Sequence, residues 1–455
     1  MGRRNEQMHL GAFIYYTGHH HAGWRHPDSA VEQLFDIELY KKLAETAERG
    51  KFDILFFADL LYVHVQQVEQ SVSGMLDPMT LLPALSMVTQ KIGLAATVST
   101  TYNEPYNVAR KFASLDFISG GRSAWNIVTS QLDVEARNYG KEKHPEHGLR
   151  YEMAREFVDV ATRLWDSWED DALVLNREQG RFADSTKVKS VDYKGQWHST
   201  GGPLNVPRPP QGYPVLIQAG SSEPGQDFAA EYGEVIFTAQ TSLDAAKAFY
   251  DSLKSKLSKY GRKNEEVKIM PGLSPVIGNT EQEAWRKYYE LQALIPESTA
   301  VAVLSGFLNY DLSGLSPDQP LPSDIPDPVA ASNGMKSRIQ LLLDLAYKEK
   351  LSIAELGRKV LASRGHMQFV GTPEQLADFM QEWYEGYGCD GFNIMAPVLP
   401  GGLEEFVDHV IPILQERGLF RKDYTGSTLR EHLGLPRPKT GHFHKAEPTS
   451  PVLSS

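Results

Sequence analysis

A handful of short runs carry side chains suited to binding a polar ring, an anion or a proton. Thr17-Gly18-His19-His20-His21-Ala22-Gly23-Trp24-Arg25-His26 sets three histidines side by side. Adjacent loop residues cannot all converge on one ion without strain, and no carboxylate stands at a clear metal-ligand spacing from them. The run reads as a polar loop with one or two hydrogen-bonded histidines, able to hold substrate, and no metal site is expected. Asp59 follows the apolar run 52–58. It suits a general acid or base or an acceptor for a ring N–H, and equally a helix cap or a loop salt bridge. Thr97 opens a hydroxyl-rich stretch through Thr101 that suits a polar ring system but is also ordinary strand composition. Asn126 lies between apolar neighbours, so its amide needs a partner once buried, either the edge of a ring or loop backbone. His147 and Tyr151 are four apart and share a face if helical, as a phosphate grip or as a surface pair. Ser221 and Ser222 follow Gly220, which is small enough to let a ligand reach the backbone. They suit the cap of a following helix, whose first N–H groups attract phosphate.

These residues need a scaffold that brings strand ends together. Strand-like runs fall at 9–15, 52–58, 92–99, 123–129, 214–219, 235–239, 267–273 and 391–395. Helix-like stretches at 37–49, 79–91 and 105–119 space their apolar residues by three and four. Repeated strand–helix units with nearly continuous apolar strands imply a parallel sheet covered by helices, and eight of them a closed (β/α)8 barrel of the TIM type. A doubly wound sheet opening on Gly-x-Gly-x-x-Gly is not supported, because the first strand runs into the histidine loop. In such a barrel the chemistry gathers at the C-terminal strand ends, where every residue named above falls. One domain over 1–435 is expected, with insertions at about 170–211, read as a β-hairpin, and 295–370, read as a lid. The tail 436–455 reads as disordered or wrapped on a neighbour.

The bulk composition excludes several classes. A net charge of −12 argues against a nucleic-acid binder. The single cysteine, Cys389, rules out an intrachain disulfide and a multi-cysteine metal site. The first residues are polar and no long apolar run exists, so neither a leader nor a membrane span is expected, and a cytoplasmic enzyme is the default.

Several longer motifs occur together: Gly23-Trp24-Arg25-His26-Pro27, Glu48-Arg49-Gly50-Lys51-Phe52-Asp53, Gly120-Gly121-Arg122 with Trp125-Asn126-Ile127-Val128-Thr129-Ser130, Gln218-Ala219-Gly220-Ser221-Ser222, and the closing stretch from Gly426 to Leu435. With them the chain resembles, from about Met8 to Leu435, the nitrilotriacetate monooxygenase component A group of the bacterial-luciferase-like flavin monooxygenases. The dibenzothiophene-sulfone and long-chain alkane monooxygenases belong to the same group. The resemblance implies a barrel binding FMN as FMNH2, delivered by a separate NAD(P)H:FMN reductase, and reacting with O2 through a C4a-peroxyflavin. It implies flavin contacts at Asp59, Thr97, His147, Tyr151 and Ser222, with Asn126 and Ser221 as further candidates. His20 and His21 would contact an anionic substrate or the peroxide. The group cleaves C–N or C–S bonds or hydroxylates carbon, and the nearest branch implies an N- or S-substituted carboxylate. A homodimer or homotetramer is the family habit. The alternatives are an F420-dependent oxidoreductase of the same fold, a non-catalytic flavin-binding protein, and a barrel hydrolase built on Asp59 and Glu104. The common barrel phosphate site follows strands seven and eight, whereas this resemblance implies one after strand five.

Overall fold

Side chains alternate between the two faces of a strand, so each short apolar run presents one set inward and the other outward. In the computed structural model, which describes residues 4, 6–63, 65, 68–322, 325 and 336–441, the strands in chain order are β1 (His9–Ile14), β2 (Ile54–Phe57), β3 (Gly93–Ser99), β4 (Ser123–Val128), β5 (Leu173–Asn176), β6 (Arg181–Ala183), β7 (Tyr193–Lys194), β8 (Ser199–Thr200), β9 (Val215–Gln218), β10 (Val235–Thr238), β11 (Lys268–Ile277), β12 (Met367–Gly371) and β13 (Gly391–Ile394). Strands β1, β2, β3, β4, β9, β10, β11 and β13 pair in parallel in that order, and β13 pairs back to β1. The barrel is closed, as the strand count implied. Phe13, Ile54, Phe56, Ala95, Ala124 and Ile217 fill its interior. The alternate residues Leu10, Ala12, Leu55, Phe57, Ala96, Trp125 and Leu216 pack outward against the helices.

Four expectations need correction. Strand β11 runs four residues past 273, because its end pairs with β12 from Leu273↔Met367 to Ile277↔Gly371. Strand β12 lies inside the 295–370 insertion and escaped notice because Met-Gln-Phe-Val-Gly neither alternates nor forms a long apolar run. The 170–211 segment forms two small antiparallel pairs, β5–β6 and β7–β8, not one hairpin. The helix expected over 79–91 is Pro78–Ser86; the Glu48 carboxylate accepts the N–H groups of Gln90, Lys91 and Ile92 and holds them as a turn before β3. The start of the tail folds onto its own barrel: Arg437 pairs with Asp170, Arg208 donates to the Pro438 carbonyl, and the Gly441 N–H donates to Asp166. The rest of the tail, and residues 323–324 and 326–328 of the proline-rich centre of the second insertion, lie outside the described residues. That insertion carries its own apolar core, including Leu304, Leu308, Ile339, Leu342 and Leu356.

The N-terminal end of the barrel is sealed. Leu429, Leu433 and Leu435 enter the interior core from below. Three buried carboxylates sit one residue before a strand, and each accepts the N–H of the second residue of a neighbouring strand. Asp53 accepts from Leu10 at 2.8 Å, Glu234 from Leu216 at 3.0 Å, and Asp390 from Ile269 at 2.9 Å. Each has a cation. Arg421 pairs with Asp53. Arg430 forks onto both oxygens of Glu234 at 2.6 and 3.0 Å. Arg4 and Lys254 meet Asp390 at 2.6 and 3.2 Å. Burial alone would raise the Asp53 carboxyl, but Arg421 and then His9 outweigh it and hold it below the usual range. Asp390 is held low in the same way, against burial, by Lys254 and then Arg4.

Removing one member of such a pair strands a buried charge. Arg430→Leu is expected to cost about 3–5 kcal/mol, read as a lower urea midpoint at pH 7; an unchanged midpoint would show that Glu234 does not need its partner. Because the folded-state values of Asp53 and Asp390 lie below the unfolded ones, their contribution is present above the ordinary carboxylate range and is lost as pH falls through the depressed values. Read as the urea-midpoint difference between the parent and Asp390→Asn, this contribution should hold between pH 7 and 5 and shrink below about pH 4.

Candidate functional site

At the opposite end the strands open into a cavity of about 300 Å³. Asp59, Thr97, His147, Tyr151, Ser221 and Ser222 all line it, with Ser99, Ser130, Glu135, Arg150, Gln218, Gly220, Thr238 and His366. The sequence separations are bridged by register. Thr97 and Asn126 are opposite one another on β3 and β4. Each lies two residues beyond a core alanine, Ala95 or Ala124, and so faces inward. The Asn126 amide donates to Thr97 Oγ1 at 2.9 Å, and Thr97 donates to the Phe57 carbonyl at 2.7 Å. Asn126 is buried just beneath the lining, and its Oδ1 has no hydrogen-bond partner among the described residues; neither has Gln218 Oε1. A buried unpaired acceptor is costly, so these atoms mark places where a ligand donor fits.

The other wall is made by two helix N-termini. His147 is the first residue of the helix His147–Trp165. Tyr151, one turn on, meets it with ring centroids 5.2 Å apart, the shared face expected from the spacing. Ser222 is the N-cap of the helix Glu223–Tyr232 and accepts the Gly225 N–H. Its hydroxyl also lies 3.4 Å from His147 Nε2, and Ser221 Oγ lies 3.2 Å from Thr238 Oγ1. A Cβ at Gly220 would come within 2.4 Å of both the Tyr151 hydroxyl and Gln218 Nε2, so glycine is required there to keep the corner open. Arg150, between His147 and Tyr151 in sequence, is buried at this corner and donates to the Ser130 carbonyl. His144 lies 3.0 Å from it and 2.5 Å from the Tyr102 hydroxyl. Sequence reasoning missed this support, Gln218 and His366; only Gln218 had a signal, as the first residue of the motif Gln218-Ala219-Gly220-Ser221-Ser222.

Asp59 and Glu135 are the carboxylates of the cavity. Glu135 accepts the N–H groups of Gln131 and Leu132 and shapes the loop after β4. Burial, and secondarily the charge of Asp77, pushes the Asp59 carboxyl up to about 6. Glu104 stands at the N-cap position of the helix Pro105–Ser119 and does not line the cavity, so no Asp59–Glu104 pair forms there.

The three adjacent histidines do separate work. His19 Nε2 bonds the Phe13 carbonyl at 2.9 Å. His20 Nδ1 accepts the Ala22 N–H, and His21 Nε2 bonds Ser71 Oγ at 3.0 Å. Burial first, and neighbouring positive charge second, lowers His19 and His20 to about 3 and His21 to about 4, so all three are neutral at pH 7. His20 and His21 lie outside the larger cavity. They line a second one of about 130 Å³ beside it, with Leu60 common to both walls. Among the described residues no group of three or more His, Cys, Asp or Glu side chains is placed to hold a metal ion, and no single helix is long and apolar enough to cross a membrane.

A carboxyl whose folded-state value is raised disfavours the fold as pH rises through that value. Asp59→Asn should therefore raise the thermal midpoint at pH 7.5, and the gain should vanish towards pH 4. An equal gain at both pH values would mean that Asp59 is not raised.

The family model described as "Luciferase-like monooxygenase" matches residues 11–391. N-acetyl-S-(2-succino)cysteine monooxygenase of Bacillus subtilis (strain 168) is 51% identical over 96% of this chain and 99% of its own length. Nitrilotriacetate monooxygenase component A of Aminobacter aminovorans is 44% identical over 96% and 98%. Among solved structures, a riboflavin lyase holding modified FMN and riboflavin superposes with a TM-score of 0.85 at 32% identity, over 95% of this chain and 97% of that one. The closed parallel barrel, the cavity at its C-terminal end and these likenesses agree: the chain belongs to the luciferase-like monooxygenase family and is a flavin-dependent oxidoreductase.

Proposed function

We propose that this protein is the oxygenase of a two-component system. In this reading it takes FMNH2 from a separate NAD(P)H:FMN reductase and uses O2 to oxidise a small N- or S-substituted carboxylate, with cleavage of a C–N or C–S bond. The observation that carries the reading is the larger cavity, with an inward-facing amide and hydroxyl on one wall and two helix N-termini on the other. FMN fits these residues. The orphaned Asn126 Oδ1 and Gln218 Oε1 suit the ring N–H groups of a reduced flavin. His147, Tyr151, Ser221, Ser222 and the glycine-opened corner suit a phosphate. Asp59 and Thr97 complete the ring contacts. When bound, reduced flavin supplies the electrons that activate O2.

The chain's own residues bind, orient and shield. The apolar lining from Ile127, Val128, Phe228 and Phe237 keeps water from the ring. Asp59, pushed to about 6 by burial, can take or give a proton at its carboxylate oxygen near neutral pH. We read residues 1–435 as one flavin-binding barrel with two insertions, working as a homodimer or homotetramer. The words "component A" in one relative's name support the separate reductase. The names of both close relatives, each acting on a substrate with several carboxyl groups, support the substrate class.

The test is anaerobic titration with FMNH2, followed by rapid mixing with air-saturated buffer in a stopped-flow spectrometer. Tight binding, and an absorbance transient distinct from reduced and oxidised flavin, are expected. Gly220→Ala, which fills the phosphate corner, should weaken FMNH2 binding by at least roughly tenfold. No FMNH2 binding by the parent protein would defeat the reading, and binding without a transient would leave a flavin-holding protein.

A further inference from the structure

The second cavity has the chemistry of an anion site. Arg364 lines it and makes no ion pair among the described residues. Its Nε donates to the His19 carbonyl at 3.2 Å and its guanidinium lies 4.3 Å from the centre of the Tyr15 ring. Both contacts aim the group without neutralising it. Two further donors wait in the same wall. His20 is 2% exposed. Because its Nδ1 accepts the Ala22 N–H at 3.2 Å, the neutral ring carries its proton on Nε2. That Nε2 and the indole Nε1 of Trp24 are buried with no hydrogen-bond partner among the described residues. The hydroxyls of Ser71 and Ser73 also line it but are spent on His21 and on the Ser71 carbonyl, and among the described residues no carboxylate is part of the lining.

The backbone supports a ligand role. Arg364 ends the helix Ile353–Ser363 in left-handed conformation, φ 54°, where glycine is the low-cost residue. Tyr16, in the same wall, is also left-handed, at φ 50°. Strained positions that keep large polar side chains are concentrated at ligand sites. The helix is fixed in place, since the His21 N–H donates to the Leu361 carbonyl at 2.9 Å. Leu60 borders both cavities, so a molecule anchored here reaches the larger one past it.

We propose that this second cavity is a carboxylate-binding subsite, in which the Arg364 guanidinium, with the N–H groups of His20 and Trp24, grips a carboxylate arm of the substrate and sets which bond lies over the flavin cavity. His20 thus serves substrate binding through a neutral hydrogen bond, not proton transfer, while His21 is paired with Ser71 in the same wall. The inference rests on the flavin-cavity reading for its functional meaning, but its binding test stands apart from that reading.

The test uses calorimetric titration of the protein, with and without FMN, by nitrilotriacetate, by N-acetyl-S-(2-succino)cysteine, by the succinyl dimethyl ester of the latter, and by sulfate. At least one acid should bind the parent protein. The ester and sulfate should bind roughly 30-fold more weakly or worse. Arg364→Gln should lose roughly 30-fold for the acids and little for the ester, while Arg364→Lys keeps part of the affinity and FMNH2 affinity stays within about threefold of the parent. Thermal midpoints establish that both variants fold, and the acid–ester comparison needs no variant at all. The proposal is overturned if neither acid binds, if acid and ester bind alike, if sulfate competes equally, or if Arg364→Gln binds the acids as the parent does. Failure of FMNH2 to bind would instead remove the flavin reading and leave the carboxylate result to be judged by itself.

Discussion

The structure depends on how its parallel strands are started. A parallel barrel has no hairpins to fix register, so something else must hold each strand against the next. Here the recurring device is a buried carboxylate one residue before a strand, accepting an N–H from its neighbour. It occurs on β2 toward β1, on β10 toward β9, and on β13 toward β11. The cations that make it tolerable come largely from outside the strand–helix repeat: Arg4 at one end of the chain, Arg421 and Arg430 at the other. Such pairs are weak sources of net stability, but any arrangement that separates their buried charges is costly. In this molecule they tie both chain ends to the barrel floor.

That floor explains why the other end can be left unfinished. With the apolar plug of Leu429, Leu433 and Leu435 below, the interior near the C-terminal strand ends need not be packed. Polar groups accumulate there instead: an asparagine and a glutamine oxygen without partners among the described residues, a raised aspartate, and two helix N-termini converging on one corner. The second insertion extends this end sideways and brings a guanidinium beside the histidine loop. Stability is therefore concentrated at one end of the barrel and ligand chemistry at the other, the division this architecture favours.

Much of this was legible in the residues, for physical reasons. Period-two and continuous apolar runs marked the eight barrel strands, and the strand-end rule then selected Asp59, Thr97, His147, Tyr151, Ser221 and Ser222, which do share one cavity. Long-range partnership was not legible. Nothing local says that Arg430 forks onto Glu234, or that Glu48 pins the turn before β3, so the helix over 79–91 was drawn too long. Strand β12 was hidden because it borrows its order from β11. The histidine run reads as a polar loop whose members cannot converge on one ion, and they do take three separate partners, Phe13, Ala22 and Ser71, though the sequence could not say that His19 and His20 are buried. Arg364 gave no signal at all: what singles it out is a left-handed backbone and the lack of an ion pair among the described residues, both properties of the fold.

The proposed chemistry depends on one placement, that of flavin in the larger cavity with its phosphate at the corner of Ser222, His147 and Tyr151. A crystal structure of the protein with FMN tests it directly. The account predicts the phosphate against the N-termini of the helices Glu223–Tyr232 and His147–Trp165, and the ring edge over Thr97 and Asn126. Phosphate density beyond β11 and β13 instead, where barrels of this kind commonly hold it, would contradict the account.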